Sequence, residues 1–453
     1  MTATLGPITL GVSLVLLAIV ILLAWPAGEI SAQGPDEAYV IVQFGDQDLA
    51  GRHINFSAPI SGLKALELTG LEVITQDFGW GIGVCSIGGV GCPADDCFCD
   101  PANFWNYSYW DGNAWQSYGV GADSSVINDG AVEGWRWGAW GTSMPPAPPV
   151  IAAVKGLEWL RPLQSLTDGG YGTGGATAET LLAVATNGYK ANEWRRQANS
   201  PSLSSYFLAQ GAALANSGAA SSGKMAVSLT GGNGCWPRGA SDPMSYYHPV
   251  TGAYSSTNAY DTGTGPHAWG MLGSAALSQT IPLTAVDYLK NLQQADGAWE
   301  WDVGFGTDTN STALAIQALI AAGELPGSSP IVDALDYLDG AQNDDGGFPY
   351  SPTSPWGTES DTNSTAYVVQ ALLAAGESPT DSRWITLSGS TPISFLLSAQ
   401  LADGSFEWQP GVPGDQQSAT RQAVVALLGQ PFPLTVTELD ACQVRYFPLI
   451  SKR

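Results

Sequence analysis

The sequence predicts an all-α toroid, a closed ring of helical hairpins, preceded by a small, disulfide-containing β-rich domain. Turns of the type Asp-Gly-small-aromatic recur at Asp168-Gly169-Gly170-Tyr171, Asp296-Gly297-Ala298-Trp299, Asp345-Gly346-Gly347-Phe348 and Asp403-Gly404-Ser405-Phe406. The identical hexapeptide Asp-Thr-Asn-Ser-Thr-Ala stands at 308–313 and 361–366, a period of 53 residues. That period suits a helix pair with two loops, and a unit unable to bury its apolar face alone must stack on its neighbours. Six cysteines, four of them between positions 85 and 99, predict the small module held by disulfides.

The elements follow in order. Residues 1–32 carry an uncharged apolar run centred on 10–24, with Ser31-Ala32 as a small-residue cleavage point, so they read as a signal peptide or an N-terminal membrane anchor. Export and an extracellular or cell-surface location follow from that reading. Residues 35–141 read as the β-rich domain. A strand is expected at 38–44, a short helix within 59–74, and aromatic strands at 104–110, 114–118 and 131–137. Its many Trp and Tyr rings form a core and an interdomain contact, or meet a ligand. Nested disulfides, Cys85 with Cys99 and Cys92 with Cys97, are preferred over a zinc site, because Cys97 and Cys99 are too close for good chelation. Cys235 and Cys442 then pair and tie the C-terminal end back to the repeats.

A Pro-rich linker at 142–150, Met-Pro-Pro-Ala-Pro-Pro-Val in its last seven residues, stiffly spaces the two parts. The repeats fill 150–434. Bulkier first helices alternate with Ala-rich second helices at 176–186, 224–229, 268–277, 311–321, 364–374 and 419–429. Counting pairs gives five to six hairpins, closed into a ring because no polar capping repeat is visible. Residues 435–453 are a tail.

Composition narrows the partners. With 41 acidic and 16 basic residues the net charge is -25, a field that repels nucleic acid phosphates and excludes nucleic acid as a partner. Loops before the second helices converge on one mouth of the ring. They bring Asp308, Asn310, Asp361, Asn363, Gln416 and Gln417 beside Trp301, Phe305, Tyr350, Trp356 and Trp408, a lining suited to a medium-sized amphipathic small molecule or a glycan. Acidic oxygens there are also candidates for calcium. Asp308 and Asp361 have a competing reading as helix-start residues. His267, at the start of a second helix, is the candidate ligand histidine.

The repeats, with Leu-Gln-Gln-Ala-Asp-Gly-Ala-Trp-Glu-Trp and Leu-Asp-Gly-Ala-Gln-Asn-Asp-Asp-Gly-Gly-Phe, resemble those of the squalene cyclase, protein prenyltransferase and cobalamin-carrier superfamily of α/α toroids. The first domain, with Gly-Val-Cys-Ser-Ile-Gly-Gly-Val-Gly-Cys and Val-Glu-Gly-Trp-Arg-Trp-Gly, resembles the small β-domain of transcobalamin and intrinsic factor, with the domain order reversed. The resemblance implies a corrinoid held between the small domain and the toroid mouth. The Asp-x-Asp-Asp acid of triterpene cyclases, the prenyltransferase zinc set and the common hydrolase and nucleotide motifs are absent. The expectation is an exported, non-catalytic binding protein, associated with the cell envelope. The alternatives are a structural or adhesive surface protein, and an enzyme of the toroid superfamily acting on a terpenoid or polysaccharide.

Overall fold

The computed structural model describes residues 35–442 apart from 47, 58, 256–262 and 356. The proposed signal or anchor segment at 1–32, the end of the tail and Trp356 therefore lie outside the described residues.

The N-terminal part is built on a five-stranded sheet. Strands β1 (Asp36–Gln43) and β2 (Leu49–Phe56) pair antiparallel, and the helix α1 (Gly62–Leu68) follows. Next come β3 (Val73–Asp77), β4 (Ile82–Ile87) and β5 (Val90–Gly91), a separate three-stranded sheet. The chain then returns through β6 (Phe104–Trp110), β7 (Trp115–Ser117) and β8 (Ala131–Gly138), giving the order β2-β1-β8-β6-β7 with β1 and β8 parallel. Side chains alternate across this sheet. Val40, Val42, Ile54, Trp105 and Trp135 meet Leu66 of α1 on one face, while Ile41 and Leu49 join the hydrophobic core of the ring on the other.

The disulfides interlock where nesting was expected: Cys85 bonds Cys97 and Cys92 bonds Cys99, with Cα separations of 4.7 and 5.7 Å. The reason is local. The β4–β5 hairpin hydrogen-bonds Cys92 N–H to Cys85 O, and a 3-10 turn at Ala94–Asp96 then brings Cys97 back to Cys85. Cys235 and Cys442 form the third bridge, and no described cysteine is free.

The linker is not a spacer along its whole length. Pro148 and Pro149 lie in the first turn of α2 (Ala147–Leu160), where missing N–H groups cost nothing. The ring continues with α3 (Gly174–Thr186), α4 (Leu203–Ala215), α5 (Ala219–Gly231), a 3-10 turn at Pro243–Tyr246, α6 (Thr264–Ala276) and α7 (Leu283–Asn291). A two-residue ribbon, β9 (Trp299–Glu300) and β10 (Thr307–Asp308), precedes α8 (Thr309–Ala321). The last hairpins are α9 (Ser329–Ala341) with α10 (Thr362–Ala374), and α11 (Pro392–Ser398) with α12 (Gln416–Leu427). Six inner helices, α3, α5, α6, α8, α10 and α12, pack each on the next, and α12 packs back on α3. The outer layer is α2, α4, the 3-10 turn, α7, α9 and α11. The molecule is an all-α toroid with a disulfide-bonded β-rich N-terminal part.

The recurring turns weld this ring. Gly169, Gly297, Gly346 and Gly404 take φ of +81° to +91°, a region that favours glycine. Each also abuts the next outer layer: a Cβ on Gly297 would stand 2.3 Å from Asp333 O, and one on Gly404 would stand 2.7 Å from Lys155 O. The second contact joins the last turn to the first outer helix and closes the circle. A glutamine clamps each turn. Gln400 Nε2 donates to Gly404 O at 3.0 Å and to Ala152 O at 2.8 Å, and Gln293, Gln342 and Gln164 repeat the arrangement.

Candidate functional site

The duplicated hexapeptide is an architectural device. Asp308 and Asp361 cap α8 and α10, each accepting from the N–H and hydroxyl of the serine three residues on, at 2.6 to 2.8 Å. Thr309 and Thr362 reach across to carbonyls of the next repeat, Pro349 O and Glu407 O. Thr312 and Thr365 accept from the turn aromatics Trp299 and Phe348, as Thr177 and Thr420 do from Tyr171 and Phe406. The two carboxyls are thus buried, and burial pushes both up to about 6 against the serine hydrogen bonds. They do not line an open mouth.

The aromatic residues of these loops do face outward. Trp301, Tyr350 and Trp408 occupy equivalent places in successive repeats, each covering the N-terminus of the preceding inner helix. Trp301 lies against Gly263 and Gly265 of α6, Tyr350 O accepts Thr309 N–H of α8, and Trp408 O accepts Thr362 N–H of α10. They are 42, 48 and 38 % exposed, with Phe305 at 75 %. Burial and the nearby Asp308 carboxylate raise the pKa of the Tyr350 phenol. Gln416 and Gln417 open α12. Asn363 reaches α12, its Nδ2 donating to Gln422 Oε1 at 2.7 Å, while Asn310 is half-buried in the first turn of α8.

Below this crown the axis is polar, a feature the sequence reading did not find. Glu179 of α3 meets Lys224 of α5 at 2.6 Å and stands 3.6 Å from Arg421 Nε of α12. Burial opposes ionisation of Glu179, but Lys224 and Arg421 outweigh it and hold the carboxyl below its ordinary range. Trp269, Tyr367 and Phe432 surround the group. Its only sequence signal is the placement of these charges within Ala-rich inner helices.

His267 does not face the mouth. It is fully buried in α6, its Nδ1 accepting from Tyr254 N–H at 3.0 Å and its Nε2 donating to Ala285 O at 2.9 Å. Both ring nitrogens are occupied, and burial lowers its pKa to about 4, so it remains a neutral tie between α6 and α7. Glu133, which the sequence reading also missed, lies between Tyr107 and Tyr118 at 2.5 and 2.6 Å, and burial raises its carboxyl to about 7. Among the described residues no group of three or more His, Cys, Asp or Glu gathers to hold a metal ion.

The small domain and the crown are at opposite ends of the ring. Asn187, at the C-terminal cap of α3, accepts Gly51 N–H at 2.6 Å and returns a bond to Gly51 O at 3.0 Å. A cleft of about 820 Å³ opens beside this contact, lined by Arg52, Glu72, Thr186, Tyr189 and Leu434 among others. The expected single cleft between small domain and mouth is therefore split, because the inner helices start at the crown and end at the small domain.

Comparison with known proteins finds relatives of the repeat region. The family described as the squalene-hopene cyclase C-terminal domain matches residues 259–413. Drimenyl diphosphate synthase of Streptantibioticus cattleyicolor is 36 % identical over 108 residues, 24 % of this chain and 20 % of that protein. The match thus spans about a fifth of the relative's length. Type II terpene cyclase MstE from Scytonema aligns at 16 % identity over 63 % of this chain and 98 % of that one, with a TM-score of 0.40. The ent-copalyl diphosphate synthase from Streptomyces platensis aligns at 16 % identity over 56 and 50 %, also at 0.40.

These findings correct the expected function. The matched family and relative are named for catalysis on terpenoids, so the non-catalytic corrinoid carrier is set aside. The family match lies within the ring and does not extend to the small domain that carried the transcobalamin likeness. Against the expected membrane anchoring, no helix among the described residues is long and apolar enough to cross a membrane, and the segment at 1–32 lies outside those residues.

Proposed function

We propose that this chain is an enzyme of the terpenoid-cyclase kind, acting on an amphipathic isoprenoid at the crown of the ring. One observation carries the reading. The equivalent aromatics Trp301, Tyr350 and Trp408 all fall in the segment matched by the squalene-hopene cyclase C-terminal domain, and all remain exposed in the fold. Half-exposed rings grouped at a helix-ring mouth bind an apolar chain, and their faces stabilise positive charge developing on its carbons. The acid is the Tyr350–Asp308 pair. Asp308 holds its proton up to about pH 6, and the phenol passes a proton from the buried carboxyl to the outer surface.

The test is incubation of the purified chain with squalene and with prenyl diphosphates of increasing length, followed by chromatography and mass spectrometry. A product of unchanged mass and altered retention is the expected outcome, since cyclisation is an isomerisation. Tyr350→Phe keeps the ring and removes the hydroxyl, so turnover should fall by about 10²-fold or more with thermal stability retained. No isomer from any substrate contradicts the proposal, and full turnover by the variant removes Tyr350 from the acid role.

A further inference from the structure

The small domain carries more aromatic rings than its core uses. On the sheet face opposite α1, β6 sets Phe104, Asn106, Ser108 and Trp110 in line, two residues apart. At one end Phe104 stacks on Trp140, ring centroids 6.0 Å apart, and at the other Trp110 meets Trp115 edge-on at 5.4 Å. The two ends are about 20 Å apart along the strand. Between β6, β7 and the segment 140–146 lies a groove of about 620 Å³, a size that takes a ligand. Trp140, on its rim, is 78 % exposed.

The polar groups of this groove are largely unspent. The Trp110 and Trp140 Nε1 groups, the Asn113 amide and the Ser117 and Ser143 hydroxyls have no partner among the described residues. An isoprenoid here would strip water from these donors and offer no acceptor, which is costly. A sugar ring answers both needs: its C–H face lies on an aromatic ring, and its hydroxyls meet amides, hydroxyls and indole N–H groups. Charge narrows the sugar. Asp46 is exposed where it pairs with Arg136 of the groove, and Asp111 holds the backbone of Asn113. With the chain at -25 overall, a polyanionic glycan is repelled. We propose that the groove binds an extended, neutral polysaccharide of β-1,4-linked hexoses. Such a chain is a flat ribbon with apolar faces and hydroxyl edges, so it meets rings at both ends of a straight strand and polar side chains between them. The groove lies outside the segment matched by the cyclase family and does not depend on the reaction at the crown.

Isothermal titration calorimetry of the full chain with cellohexaose and with chitohexaose tests the groove. Saturable binding of either one is expected, weakened about tenfold or more by Trp140→Ala. Because Trp140 is exposed, the variant should melt as the wild type does, so its loss reports contact rather than folding. Asn113→Ala, also at an exposed position, should weaken binding by a smaller factor. Binding of neither hexaose overturns the proposal. Binding undiminished in Trp140→Ala overturns the groove as its location, and tighter binding of hexagalacturonate than of both neutral hexaoses overturns the neutral assignment.

Discussion

His267 shows how burial decides what a side chain can do. At a helix start it reads as a ligand, yet the fold spends both nitrogens on backbone and lowers the pKa from 6.5 to about 4. The unfolded chain therefore binds a proton that the fold refuses. The stability His267 contributes is present above pH 6.5 and is lost as pH falls toward 4. His267→Gln should be the less stable protein at pH 7.5, and denaturant melts should show its deficit shrinking by about 2–3 kcal/mol at pH 4.5. A deficit independent of pH would contradict the burial argument. Asp308 and Asp361 act with the opposite sign. Their folded pKa of about 6 lies above the ordinary 3.8, so they favour the fold below 3.8 and lose that contribution as pH rises through 6. Because both proteins carry them, they cancel in the comparison. Sequence alone shows an imidazole or a carboxyl at a helix start; it does not show whether solvent reaches it.

At the scale of the element, the repeat was legible because the same physical need recurs. The inner helices α3, α8 and α10 are capped by a side chain, and each of the four turns presses its glycine against the next repeat, so Asp-Gly turns and the Asp-Thr-Asn-Ser-Thr-Ala start are printed more than once. The glutamine clamp was equally visible: Gln293, Gln342 and Gln400 each stand four residues before the turn glycine. It passed unread because a polar residue at a helix end looks like solvent-facing surface. Two substitutions measure these parts. Thr365→Val leaves Phe348 N–H without its buried acceptor and should cost about 1–3 kcal/mol in denaturant melts. Gly404→Ala places a Cβ 2.7 Å from Lys155 O at φ +91°, and should cost about 2–4 kcal/mol by strain and seam displacement. Neutral effects would mean that the turn contacts do not hold the ring. The disulfide pairing was not legible, because it depends on the path of a 3-10 turn rather than on cysteine spacing.

At the scale of the molecule, the sequence places a β-rich part before a ring but does not say which end of the ring it covers. Asn187 settles that by binding both backbone groups of Gly51, where β2 lies so close to α2 that a Cβ would stand 2.6 Å from Val154. Asn187→Leu should loosen this junction, and limited proteolysis should then cut between 138 and 147 faster than in the wild type. Unchanged cutting would mean that apolar contact through Ile41 and Leu49 suffices. With the small domain docked at one end, the aromatic crown at the other remains open for chemistry. A photoactivatable isoprenoid, crosslinked to the purified chain and mapped by peptide mass spectrometry, tests that placement directly. The account predicts labelled peptides containing Trp301, Tyr350 and Trp408. Labelling confined to the interdomain cleft around Tyr189, with the crown unmarked, would contradict it.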